Sequence, residues 1–271
     1  MNPIPNPQSG GFVRADLVSL LASFALLFLL VVASGSVTRT ATEVTVCQNN
    51  HRHIAGAWLA HAQDNPLLLN PSFLAGGTVE GGTVWGFGQM TWDRDRDNTN
   101  IASVLTPTFK AYVGQDPAVF RCPADRFVSS VQRNLGWRYR VRTVSMNAHV
   151  GTSRTDWGGS FPTYRRLQDF AEPSATFVFA EEHPGSINDC LFATDPEGTR
   201  LPARARIIDV PASFHNRGAH FSFADGHVEL HRWVGPRVAQ PVEGGRYVTL
   251  LVPAPRDPDA LWLGQHAAQL R

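Results

Sequence analysis

Nine residues separate His215 from Asp225-Gly226, and His220, His227, Glu229 and His231 crowd the same stretch. Asp-Gly between two alternating segments predicts a two-residue hairpin loop of type I′, which needs positive φ at both central positions. That turn sets a register. Phe223 then opposes Val228 and Phe221 opposes Leu230 on the core face, while Ser222 opposes Glu229 and His220 opposes His231 on the other. In this register His220, Glu229 and His231 converge, and zinc accepts such ligands. Strand histidines are more often solvated or packed, so structural polar residues and no metal are the expectation. His215 with Asp225 has the residue types of an acid–base pair. Yet Asp is a turn former, and His215 can brace the preceding loop by hydrogen bonding. No G-x-S-x-G, H-E-x-x-H or P-loop accompanies them. The expectation is therefore no catalytic residue, no cofactor and no enzyme.

Two other groups carry donor atoms. Asp93-Arg94-Asp95-Arg96-Asp97-Asn98 alternates acids as a calcium loop does at its start. An EF-hand needs Gly at its sixth position and Glu at its twelfth, where this sequence has Asn98 and Val104, and the arginines neutralise the acids. The three cysteines, Cys47, Cys122 and Cys190, form no C-x-x-C pair, which leaves a zinc knuckle or thioredoxin-type site unsupported. In an oxidising compartment a Cys47–Cys122 disulfide is one reading, provided a sheet packs on the helix near Cys47. Three buried free thiols is the other.

These residues need a scaffold to position them. A helix is expected from about Val13 toward Gln63, stopped by Asp64-Asn65-Pro66, with a weak middle at Thr38–Val46 where Thr and Val are mediocre helix formers. Ile54, Trp58 and Ala62 recur at four-residue spacing and supply an apolar face for a sheet. Residues 137–147 alternate, with Trp137, Tyr139, Val141 and Thr143 expected inward and Arg138, Arg140 and Arg142 outward. Short strands are expected at Thr176–Ala180, Arg206–Val210 and Tyr247–Val252. With no βαβ repeat, the class is α+β, a long N-terminal hydrophobic helix on an antiparallel sheet. Over 271 residues the formal net charge is +1, with 43% hydrophobic and 17% charged residues. That balance gives no basic surface for nucleic acid.

Leu17–Ala33 carries no charge. Seventeen helical residues reach roughly 25 Å against a ~30 Å hydrocarbon core, and Phe12 and Val13 extend the reach. A soluble helix is rarely apolar on every face over such a length. Three membrane readings follow. A secretory signal cut near Ala33-Ser34-Gly35 has to accommodate a run longer than the usual ~7–15 residues. A plain signal anchor is the second reading.

The third rests on Gly10-Gly11-Phe12-Val13-Arg14-Ala15-Asp16, which resembles the processing site of type IV prepilins and type II secretion pseudopilins. The resemblance implies cleavage after Gly11 by a prepilin peptidase and methylation of Phe12. It also implies an intersubunit contact between the Phe12 amine and the Asp16 carboxylate, a group costly to place in lipid without a partner. Asp16 stands where that family usually has Glu, and the leader has no basic residue.

Cys47-Gln48-Asn49-Asn50, Phe120-Arg121-Cys122-Pro123-Ala124-Asp125 and Glu181-Glu182-His183-Pro184 are similar to segments of prepilin-like proteins of planctomycete and verrucomicrobial type. His215…Asp225-Gly226 matches the H-x(9)-D-G signature of their processing-associated domain, and the resemblance covers most of residues 10–233. It implies a leader at 1–11, a transmembrane and spine helix at 12–65, and a β-rich ectodomain at 66–271. The implied protein is a structural subunit of a pilus or pseudopilus in a bacterial inner membrane. Its ectodomain is periplasmic, and its partners are the peptidase, other pilin subunits and membrane lipid. The alternative is an exported or membrane-anchored ectodomain with metal-dependent or ligand-binding activity.

Overall fold

The computed structural model describes residues 14–70, 83–151 and 161–269, with helix side chains described at 17–28 and from 41 onward. The chain divides into two units, residues 1–42 and 43–271. Helix α1 (Arg14–Asp64) includes the weak stretch at Thr38–Val46. Propensity differences there amount to tenths of a kcal/mol per residue, which the burial of the turns that follow outweighs. In the first unit the large apolar side chains from Leu17 to Phe28 are all exposed, at 48% to 70%. Among the described residues no helix is long and apolar enough to cross a membrane. The leader, Gly11 and Phe12 lie outside the described residues, as does the side chain of Asp16.

The second unit is α+β. Its helical turns bury Cys47, His51, Ile54 and Trp58 along one face, a stripe at i, i+4, i+7, i+11 that contains the expected Ile54–Trp58–Ala62 line. The helix ends as expected. The Asn65 backbone N–H and side-chain amide both donate to the His61 carbonyl, at 3.0 and 2.9 Å, and Pro66 follows.

The main sheet contains β1 (Val144–Asn147), β2 (Phe177–Glu181), β3 (Leu191–Phe192), β5 (Gly218–Phe223) and β6 (Val228–Arg232), in the order β3-β1-β2-β5-β6. Its pairs are antiparallel except β1 with β3, which is parallel. β4 (Arg206–Ile207) pairs separately with β7 (Val252–Pro253). A bulge between Phe177 and Phe179 shifts the register of β2 on β5. The extra residue changes the parity of the strand. Phe177 joins the cluster around Phe221, Trp233 and Leu263, whereas Phe179 joins Ile54, Trp58 and Trp85. The same parity change carries Glu181 to the α1 side, where Cys47 meets it at 2.7 Å.

The strand expected at Tyr247–Val252 is reduced to Val252 in β7 and that at Arg206–Val210 to Arg206–Ile207 in β4, and two further sequence expectations fail locally. The alternating segment 137–147 is a strand only over Val144–Asn147, and its burial is inverted at the arginines: Arg140 and Arg142 are buried, Tyr139 is exposed. Each arginine has partners that outweigh the pattern. Arg142 donates to the Val144 carbonyl and Ser145 Oγ, both at 3.0 Å, and to the Asp189 carbonyl. Arg140 donates to the Pro184 carbonyl at 2.7 Å and lies 4.0 Å above the Trp92 ring, a cation–π contact.

The second failure is the hairpin. The Gly226 N–H donates to the Phe223 carbonyl at 2.9 Å and the Phe223 N–H to the His227 carbonyl at 2.9 Å. Gly226 has φ +93°, and Asp225 is not among the positive-φ residues. This is a three-residue loop, a type I turn closed by a glycine bulge, not a type I′ turn. The register moves accordingly: His220 pairs with Leu230, Phe221 with Glu229 and Ala219 with His231. Gly226→Ala is expected to cost about 1–2 kcal/mol, because an L-residue must hold the left-handed conformation. Its Cβ would also press on Leu59 Cδ1 of α1 at 2.7 Å. Urea unfolding of the variant against the parent checks this.

Candidate metal centre

The observed register separates the histidines that a type I′ turn would bring together. Paired residues share a face, so Glu229 and His231 lie on the side of Ala219 and Phe221, away from His220. There the His231 ring stacks on Trp262 of the C-terminal helix (Pro258–Ala267) at 3.7 Å, and its Nδ1 sits 3.6 Å from Glu229. His231 is a packed side chain, and the three-residue ligand set read from the type I′ turn does not form. Asp225 likewise does not meet His215. It sits in the turn, with Oδ1 2.6 Å from His227 Nδ1 and accepting the His227 N–H at 3.1 Å. Asp95 and Asp97 are engaged locally too. Asp95 Oδ1 accepts the Asp97 N–H and Asp97 Oδ2 the Gln89 N–H, at 3.0 and 3.2 Å.

The opposite face of β5 is where polar groups meet. His220 and Ser222 point there, toward Cys47 and His51 of α1. Ser222 Oγ lies 2.9 Å from His51 Nδ1 and donates to the His51 carbonyl at 3.2 Å. At the end of β2, Glu181 is fully buried. Its Oε1 accepts from the Cys47 thiol at 2.7 Å and lies 3.4 Å from His215 Nε2. Its Oε2 accepts the His220 backbone N–H at 2.6 Å and lies 3.1 Å from His220 Nδ1. Cys122 brings its Sγ to 3.3 Å from His215 Nε2, and its backbone N–H is held by Thr143 Oγ1 at 2.7 Å. One donor atom from each of Cys47, Cys122, Glu181 and His215 lies within 4.8 Å of all the others, and all four residues are buried. Cys47 and Cys122, which one of the two readings joined in a disulfide, thus share one nest; both are free thiols in this structure.

The electrostatics are those of a compensated buried charge. Burial would raise the Glu181 carboxyl, but hydrogen bonds from His215 and His220 and the His215 charge hold it well below the usual range. Burial would lower His215, yet its hydrogen bonds to Cys122 and Glu181 carry it up to about 10. Burial, reinforced by Cys122 and by the Glu181 charge, keeps the Cys47 thiol well above its ordinary value. His51 is driven down to about 3 by burial. Among the described residues neither His51 Nε2 nor His220 Nε2 has a hydrogen-bond partner. Cys190 belongs to no such group among the described residues: burial pushes it up to about 12, and it behaves as a packed apolar residue.

Sequence reasoning named His215, Cys47 and Cys122 separately and missed Glu181 as the group that joins them. The signal for the helix side was present, since Cys47 and His51 are four residues apart and continue the Ile54–Trp58 stripe. Comparison with protein-family models, with curated proteins and with solved structures gives no match.

A second buried acidic group pairs Glu182, the residue after Glu181, with Asp209: burial and the Asp209 charge push the Glu182 carboxyl well above its ordinary value. Asp209 Oδ2 accepts the Ala193 N–H at 2.7 Å, and burial pushes its pKa from 3.8 up to about 7. An acid raised on folding penalises the native state once the unfolded chain ionises. The penalty is absent below pH 3.8 and grows until the folded group ionises near pH 7. Asp209→Asn keeps an oxygen for Ala193 and removes the penalty. It is expected to match the parent near pH 3.5 and to be more stable by about 2–4 kcal/mol at pH 8, as measured by denaturant midpoints at the two pH values.

Proposed function

We propose that this chain is a membrane-anchored, prepilin-like structural subunit, clipped after Gly11 and built into a pilus or type II secretion pseudopilus. One observation carries the reading: α1 changes character along its length. From Leu17 to Phe28 its large apolar side chains are exposed all round, which in water is a cost without a return. From Cys47 to Ala62 its apolar face is buried in the core of the second unit. Lipid and the helices of neighbouring subunits are the surroundings that suit the first part. The α+β layout, a helix on a mostly antiparallel sheet, suits a subunit that displays a folded ectodomain.

On this reading the N-terminal segment sits in a bacterial inner membrane with the ectodomain in the periplasm. The peptidase is the enzyme and this chain its substrate. The mass of the mature N-terminus, measured on protein recovered from cell membranes, tests the proposal. The expected product begins with N-methylated Phe12, and Gly11→Val blocks the shift in electrophoretic mobility that marks its formation. A mature chain beginning at Ser36, or one that keeps its leader, overturns the reading.

A further inference from the structure

We infer that Cys47, Cys122, Glu181 and His215 are the four ligands of a structural zinc ion that fastens α1 to the sheet. The chemistry of the set points to zinc. Two thiolates and an imidazole favour it over calcium or magnesium, which take oxygen ligands, and one carboxylate oxygen completes four positions.

The geometry agrees. Zinc bonds of ~2.0–2.3 Å at tetrahedral angles place neighbouring ligand atoms about 3.3–3.8 Å apart. His215 Nε2 lies 3.3 Å from Cys122 Sγ and 3.4 Å from Glu181 Oε1. Cys47 Sγ, at 2.7 Å from Glu181 Oε1, has to withdraw by about 0.6–1 Å to reach that range, a rotamer adjustment. All four protein ligands are buried, as in a closed structural site and unlike a catalytic one that keeps a position open.

The surroundings orient the ligands as metal sites require. Glu181 Oε2 is tied to the His220 N–H and lies beside His220 Nδ1, which leaves Oε1 facing the sulfurs. Thr143 holds the Cys122 backbone. Proton balance is explicit: as zinc binds, both thiol protons leave, and the proton on His215 leaves with them. Zinc(II) then faces two thiolates, one carboxylate and a neutral imidazole, with no electron transferred.

The donors come from far apart in the chain. Cys47 and Glu181 are separated by 134 positions and Cys122 and His215 by 93. Linking them closes long loops at one point, where a cross-link removes the most freedom from the unfolded chain. This site does not depend on whether the chain enters a filament.

The test uses the full chain, extracted in detergent without chelator and dialysed. Elemental analysis is expected to return one zinc per chain, with Cys47 and Cys122 protected from a thiol reagent until a strong chelator is added. Cobalt(II) loaded after chelation is expected to give a thiolate-to-cobalt charge-transfer band. The Cys190→Ala variant keeps both signals. Cys47→Ser loses the band, and His220→Ala, a positioning change, weakens zinc binding by about 10–100-fold. Folded parent protein with two reactive thiols, no retained zinc and no cobalt band overturns the proposal, as does a peptide map finding Cys47 and Cys122 joined in a disulfide. The parent measurements decide the question even if a variant fails to fold.

Discussion

Replacing Glu181 with alanine is expected to cost 3–5 kcal/mol of stability in the metal-free protein, measured by guanidinium unfolding in the presence of chelator. The size follows from what the carboxylate holds. It accepts the His220 backbone N–H, the His220 ring and the Cys47 thiol, and it neutralises His215 in a region closed to water. A surface ion pair lost in this way would cost at most about 1 kcal/mol. A buried carboxylate removed from its partners leaves their desolvation uncompensated, and breaking such pairs typically costs 3–5 kcal/mol. Glu181→Gln separates charge from hydrogen bonding. It keeps an oxygen for the His220 N–H but cannot offset the His215 charge, so about half of the loss is expected. A loss under about 1 kcal/mol for Glu181→Ala would mean that water reaches the nest and that the burial argument fails.

The sequence made the helix face legible because its period is robust. Ile54, Trp58 and Ala62 recur at helical spacing whatever sheet they meet, and Asp64-Asn65-Pro66 terminates the helix through local chemistry alone. The C-terminal helix was equally local and went unread: Asp257 caps it through the N–H groups of Asp259 and Ala260, with Pro258 in the first turn, a familiar helix start.

The candidate site was much less legible. Its residues lie on four separate segments, and two features that a binary pattern does not encode decide which side chains face α1. One is the β2 bulge that turns Glu181 toward α1. The other is the loop at Ala224-Asp225-Gly226. A single residue more in that loop than the type I′ reading allows sends His220 to the side opposite His231, since a one-residue slip exchanges the faces of a strand. Reading Asp-Gly as a two-residue turn was thus enough to place the candidate ligands on the wrong face. The arginines at 140 and 142 misled for a related reason. Alternation marks a face as polar but does not say whether carbonyl oxygens wait there to receive the polar groups.

The same comparison of local and distant effects bears on Trp58, the residue through which α1 has most to lose. Trp58 is fully buried, belongs to the cluster with Ile54, Trp85 and Phe179, and meets Phe170 edge to face at 6.2 Å. Trp58→Ala is expected to cost about 3–5 kcal/mol, the usual range for deleting a buried aromatic, with the residual cavity setting where in that range it falls. Trp58→Phe is expected to be far milder, roughly 1 kcal/mol or less. Among the described residues the indole N–H has no hydrogen-bond partner, so the ring change removes an unpaired buried donor while it surrenders some contact area. Chemical denaturation followed by near-UV circular dichroism distinguishes the two variants. Equal losses would mean that the indole nitrogen is satisfied by water in solution. If Trp58→Ala is as stable as the parent, the helix does not depend on this face for its docking. In that case Ile54 and Ala62, together with the polar nest at Cys47 and His51, hold the helix turns of the second unit against the sheet.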